Sequence, residues 1–139
     1  MVAEEFLGID VGEKRVGVAR GSTAARLAEP LAVLPSQAAV MELKKLIREH
    51  KPAGLVIGLP RNLNGDETAQ TALVRAWAQK LGQDIKLPFY FQDEALTTHE
   101  ALARLPGKKP ASKDELDALA AAVILQDFLD TPPADRLVL

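Results

Sequence analysis

An α/β fold, with a sheet flanked by helices, is what this 139-residue sequence predicts, and three observations carry the expectation. First, "EFLGIDVG" and "KRVGVARG" are β-type segments separated by a few residues containing Gly12, the pattern of a hairpin. Second, "AGLVIGLP", from Ala53, is a short continuous apolar run, as in a strand covered on both faces and flanked by parallel neighbours. Third, helical and strand patterns alternate after the hairpin, and right-handed crossovers would set the later strands beside the first one. The hairpin then extends the sheet the other way.

Between these anchors the elements follow in order. A third strand, "EPLAVLP", is bounded by Pro30 and Pro35. From Ser36, "SQAAVMELKKLIREH" places Val40, Leu43 and Ile47, with Leu46 beside them, at helical spacing. Pro60 ends the apolar run, and in the loop "RNLNGDET" either Asp66 or Thr68 can cap the helix "AQTALVRAWAQKLG", whose Leu73, Ala76, Trp77 and Leu81 share a face. "LPFYFQDE" is the next strand. "LTTHEALARL" reads as a helix with Thr97 or Thr98 near its start, "PGKKPASK" as a loop, and "SKDE", Ser112 to Glu115, as a capping box opening the last helix, "LDALAAAVILQDFLD". One globular domain over residues 1–130 is expected, followed by a tail over 131–139. Leu137, Val138 and Leu139 of that tail either dock on the body, join a dimer or stay loose. The oligomeric state is accordingly monomer or homodimer.

Composition narrows the function classes. Hydrophobic residues make up 47% and charged residues 26%, ordinary globular usage, and neither a long apolar span nor a leader pattern opens the chain, so a cytoplasmic protein without membrane contact is expected. The absence of cysteine excludes a disulfide framework, a thiolate zinc site and a cysteine nucleophile. A net charge of −2 argues against nucleic-acid binding through overall basicity, but leaves local clusters such as Lys14-Arg15.

Three strand ends bear on chemistry, because ligands of such sheets gather outside the carboxyl ends of parallel strands. The first strand ends at Asp10, the apolar run at Gly58 to Pro60, and "LPFYFQ" at Asp93-Glu94. A carboxylate at the end of a buried strand is either at a wet margin or facing a cation. The last helix adds Asp117, on a stripe with Ala120, Ala121, Ile124 and Phe128 expected to face the sheet, and the small Ala120-Ala121-Ala122 run lets that helix come close. Converging Asp10, Glu94 and Asp117 would repel one another unless a divalent cation neutralised them. Oxygen-only ligation suits Mg²⁺ or Mn²⁺, and two such ions roughly 4 Å apart serve phosphodiester hydrolysis, with Asp10 as the bridging ligand.

Each residue also has a plainer reading. Asp10 alone is a turn residue, Glu94 a cap, Asp117 a partner for Lys113 one turn back. Gly58, Pro60, Asn62 and Gly65 form either a strand-to-helix turn or a loop on the substrate side. Thr97 and Thr98 are helix caps or backbone-binding hydroxyls. Lys14, Arg15 and Arg61 flank the candidate site in sequence and are the expected phosphate contacts.

"GIDVGEKRVGVA" (8–19), "VIGLPRNLNGDET" (56–68), "DEALTT" (93–98) and "LDALAAAVILQDFL" (116–129) together resemble the YqgF family, also called RuvX, of bacterial Holliday-junction-resolvase-like nucleases. The resemblance runs from Gly8 to Leu129. It implies a ribonuclease H-like fold with a mixed five-stranded sheet of order 3-2-1-4-5. It also implies a nuclease that matures the 5′ end of 16S ribosomal RNA, with resolvase-like activity on branched DNA beside it, and a metal site at Asp10, Glu94 and Asp117. Asp93, facing the other way along the strand, is then expected to cap or pair locally. Two departures stand out: Ala95 replaces the family's arginine after "DE", and Arg20-Gly21 replaces its Ser-Asp. A sugar-kinase-like phosphotransferase, which "DVGEKRVGVA" also resembles, needs two lobes, and 139 residues supply one. The rival that remains is an RNA-binding factor in transcription or ribosome assembly that keeps the fold without cutting.

Overall fold

The structure, a computed structural model, describes residues 3–94 and 113–138. The expected helix over "LTTHEALARL", with Thr97, and the following loop lie outside the described residues, as do Ala95 and Ser112.

Three strands, β1 (Glu5–Val11), β2 (Arg15–Ser22) and β3 (Leu27–Pro35), precede helix α1 (Ala39–His50) and strand β4 (Gly54–Pro60). Helix α2 (Ala69–Asp84), strand β5 (Phe89–Glu94) and helix α3 (Lys113–Asp130) come next, and a 3₁₀ turn at Pro133–Asp135 leads into the two-residue strand β6 (Leu137–Val138). The sheet order is β3-β2-β1-β4-β5-β6. β1, β4 and β5 run parallel, while β2 pairs antiparallel with β1 and β3. The first five strands therefore take the expected order, and the five-stranded expectation is corrected to six. Leu137 and Val138 of the tail pair antiparallel with Phe91 and Tyr90, so these two residues dock on the body and cover the backbone edge of β5.

Alternation along each strand makes two cores. Leu7, Ile9, Val16, Val18, Leu55, Ile57, Leu59, Phe89 and Phe91 pack against α1 and α2 through Leu43, Val74, Ala78 and Leu81. Their strand neighbours Phe6, Ala19, Val56 and Tyr90 pack against Ala121, Ile124, Leu125 and Phe128 of α3. Phe6, Tyr90 and Phe128 form a cluster of rings with centroids 5.0 to 6.1 Å apart, the spacing at which tilted and edge-on pairs attract. No helix among the described residues is long and apolar enough to cross a membrane.

One helix face differs from the expected one. Thr71, Val74, Ala78 and Leu81 are the buried residues of α2, whereas Leu73 is 60% exposed and Ala76 faces solvent. The cause lies at the helix start. Thr68 is the N-cap, its backbone N–H donates to Thr71 Oγ1 at 2.8 Å, and the Thr71 hydroxyl donates to the carbonyl of Pro60. That contact ties the first turn to the end of β4 and rotates Thr71 inward. Thr71→Val, which keeps the shape, leaves two backbone groups without their partner and is expected to lower stability by about 1–3 kcal/mol, read from the urea midpoint at unchanged m.

Candidate functional site

Three short-range features bring Asp10 and Asp117 together. Asp10 is one residue beyond the Ile9/Ile57 pair at the end of β1 and directly opposite Gly17 of β2. By the two-residue period it shares the α3 side of the sheet with Phe6 and Gly8. Gly17 is bare of side chain, and the backbone of Asp117 lies directly over it: a Cβ built there would stand 2.6 Å from the Asp117 carbonyl carbon. Gly8 receives α3 in the same way, its would-be Cβ 2.7 Å from Leu125 Cβ. Small residues on the helix were the expected means of close approach. The matching half is a row of glycines on the sheet, legible only once the hairpin register sets Gly17 beside Asp10.

The electrostatics follow from that proximity. Burial first, and the neighbouring Asp117 charge second, push the Asp10 carboxyl from 3.8 up to about 6. No hydrogen bond or ion pair reaches the Asp10 side chain among the described residues. Asp117 has a cation beside it: Arg15 Nε donates to its Oδ2 at 2.6 Å, both side chains being about one-third exposed. Arg15 reaches it because it sits two residues before Gly17 and so points to the α3 side. Its strand begins at a hairpin turn held by Gly12 N–H to the Arg15 carbonyl at 3.0 Å and by the Ser36 hydroxyl to the Glu13 carbonyl at 2.8 Å. Lys14 projects from that turn into solvent.

The other expected residues form a second group. Glu94, paired in register with Pro60, is two positions further along the sheet than the level of Asp10. Its parity with Tyr90 puts it on the α3 side, and its Oε2 is shielded from solvent. Asp93 faces the opposite side and pairs locally, accepting from Arg61 Nε at 2.8 Å. Arg61 also donates through Nη1 to the Gly65 carbonyl at 3.2 Å, so the structure places this expected phosphate contact in a clamp between the 61–65 loop and the end of β5. Beside it, Arg75 grips Glu67 with two hydrogen bonds of 2.8 and 3.0 Å and lies over the Phe91 ring. Asn62 builds the loop: its Oδ1 accepts from the backbone N–H groups of Asn64 and Asp66, and Gly65 turns the chain at φ +83°. A cavity of about 430 Å³ opens between Arg61, Asn62, Leu63, Gly65, Asp93 and Glu94. Arg20 serves neither group, being paired across the strands with Glu29.

Among the described residues, no three acidic or histidine side chains converge closely enough to hold a metal ion. Asp10 and Asp117 are the pair brought together, with Glu94 at the rim beside the cavity. The donor set still suits a hard divalent cation. It is oxygen only, and Asp10 is a half-buried carboxylate with no donor among the described residues.

Comparison with known proteins bears on the family and the fold. The profile of the RuvX family, described as a Holliday junction resolvase, matches residues 4–131. A protein of Chloroflexus aggregans named "Putative pre-16S rRNA nuclease" is 36% identical over 136 residues, covering 94% of this chain and 96% of its own. A protein of Pseudomonas fluorescens with the same name is 39% identical, covering 94% of each chain. Among solved structures, Thermus thermophilus RuvC in complex with a Holliday junction substrate superposes with a TM-score of 0.64 at 16% identity, covering 98% of this chain and 99% of that one. That likeness concerns the fold.

Proposed function

The chain belongs to the RuvX family, and from that premise we propose that it is a metal-dependent nuclease of the cytoplasm, hydrolysing phosphodiester bonds in the 5′-end maturation of pre-16S ribosomal RNA. Its substrate class is nucleic acid, with branched DNA as the second candidate beside RNA. The observation that carries the proposal is the pair Asp10 and Asp117, held together over Gly17 with the Asp10 carboxyl pushed up to about 6.

In this reading Asp10 and Asp117 hold Mg²⁺ or Mn²⁺, with Glu94 completing the site from the rim. The cation, when bound, supplies activation of water and stabilisation of the leaving oxygen. Without the cation, Arg15 balances the charge of Asp117. Lys14, free of side-chain partners among the described residues at the tip of the hairpin, binds phosphate backbone as a point charge. The 61–66 loop, shaped by Asn62 and clamped by Arg61, forms the wall of the cavity beside Glu94 and positions the strand; Thr97, outside the described residues, is proposed from the sequence alone as a phosphate contact. Without a guanidinium at position 95, backbone binding falls to the basic residues near the hairpin and the loop.

The test is cleavage of a single-stranded RNA carrying the 16S precursor leader and of a four-way DNA junction, in EDTA, Mg²⁺ and Mn²⁺, with Glu94→Gln and Asp117→Asn alongside wild type. The expected result is cutting that requires the metal and is lost in both variants while RNA binding survives. Binding of RNA without cutting of either substrate would replace the nuclease with the accessory-factor reading.

A further inference from the structure

Arg15 contributes more than a phosphate contact. Its guanidinium rests on Asp117 at 2.6 Å, on the carboxylate assigned to the cation, and does so from the strand whose Gly17 lies beside Asp10. We propose that Arg15 is a built-in counter-ion for Asp117, a positioning residue that exchanges with the divalent cation and thereby couples metal binding to binding of the nucleic-acid backbone. The inference rests on the metal-site reading given above.

The argument is electrostatic. Asp10 stands opposite Gly17, and the Asp117 backbone lies directly over that glycine, so a site with neither cation nor guanidinium holds two neighbouring carboxylates that repel. Arg15 removes part of that repulsion. A guanidinium always carries its charge and presents donors in a planar fork that fits a carboxylate, and the same fork fits a phosphate. Asp117 therefore has two competing positive partners, and phosphate competes with Asp117 for the Arg15 guanidinium. Phosphate on Arg15 leaves Asp117 to the cation, and the cation on Asp117 leaves Arg15 to phosphate. By linkage the two binding events favour each other to the same degree. The one-third exposure of both side chains gives the guanidinium room to swing toward solvent without unpacking the core.

Mn²⁺ binding, followed by the electron paramagnetic resonance signal of the free ion in the absence of nucleic acid, separates the outcomes. Arg15→Gln removes the competitor and is expected to tighten Mn²⁺ binding by about tenfold, within the usual range for coupled sites. Asp117→Asn in the same background should cancel the gain, Arg15→Lys should fall between, and Arg20→Gln, which removes the same charge from β2 without touching Asp117, should change nothing. Adding RNA should tighten Mn²⁺ binding less in Arg15→Gln than in wild type. If wild type binds Mn²⁺ in an Asp10-dependent way and Arg15→Gln binds it equally or more weakly, the exchange is refuted while the metal site stands. If neither wild type nor Arg15→Gln binds Mn²⁺, or if Asp10→Asn binds it as wild type does, the metal-site reading fails and the exchange with it. Thermal melts of every variant establish that loss of binding is not loss of fold.

Discussion

Asp10→Asn is expected to raise the melting temperature in EDTA at pH 8 while removing metal-dependent cutting. The carboxyl is pushed from 3.8 up to about 6, chiefly by burial and then by Asp117, so the folded protein prefers its neutral form. A raised carboxyl contributes stability that is fully present below about pH 4 and is lost as pH rises through about 6. At pH 8 the ionised form is therefore a liability of the native state, amounting to up to about 3 kcal/mol for a shift of this size. Asparagine keeps the shape and drops the charge, which should raise the melting temperature by several degrees, on the order of 10 °C at most for a chain of this length. The difference should vanish by pH 4, where both side chains are neutral. Added Mn²⁺ should narrow or reverse it, because a ligand that binds only the native state stabilises wild type and has lost its carboxylate in the variant. A lower melting temperature for Asp10→Asn at pH 8 in EDTA would mean that the charge is stabilised in place, contrary to the burial and repulsion argued for it.

Different parts of the molecule were legible for different physical reasons. β4 announces itself because a strand buried on both faces has no polar position to interrupt it, and the hairpin announces itself through a short turn between two β-type segments. Those two patterns, with the alternating helices, led to the parallel β1, β4 and β5. The opposite faces of Asp93 and Glu94 follow from the two-residue period alone, and Asp93 indeed pairs with Arg61 on its own side. β6 left no such trace, since two residues carry no period and their pairing with β5 joins positions nearly fifty residues apart. Of the expected α2 face, Trp77 and Leu81 pack on the core while Leu73 and Ala76 do not, because one threonine hydroxyl on the Pro60 carbonyl sets the rotation and an apolar count cannot register it. Arg15 on Asp117 was equally invisible, a contact across 102 residues that depends on how closely a helix can lie on the sheet.

That closeness makes Gly17→Ala the second large effect. The added Cβ would stand 2.6 Å from the Asp117 carbonyl carbon, 3.2 Å from the Ala118 nitrogen and closer still to the Asp117 carbonyl oxygen. All three are backbone atoms of α3, so relief requires the helix itself to lift or slide, and overpacking of this kind costs about 1–3 kcal/mol, occasionally more. Gly58, on the same side of the sheet next to the β1 register pair Ile9/Ile57, supplies the comparison. There the added Cβ meets the Ile124 side chain, nearest to its terminal Cδ1 and 3.1 Å from Cγ1, and a side chain can change rotamer where a backbone cannot. Gly17→Ala should therefore lower the urea midpoint more than Gly58→Ala, and Ile124→Val should rescue Gly58→Ala only. The site should respond in the same order. Lifting α3 at Asp117 draws that carboxylate away from Asp10, so at a temperature where both variants remain folded, Gly17→Ala should show the larger loss of Mn²⁺ affinity and of cutting. Equal losses in the two variants would mean that the glycine under Asp117 sets only packing, and that the carboxylate pair does not depend on where the helix backbone lies.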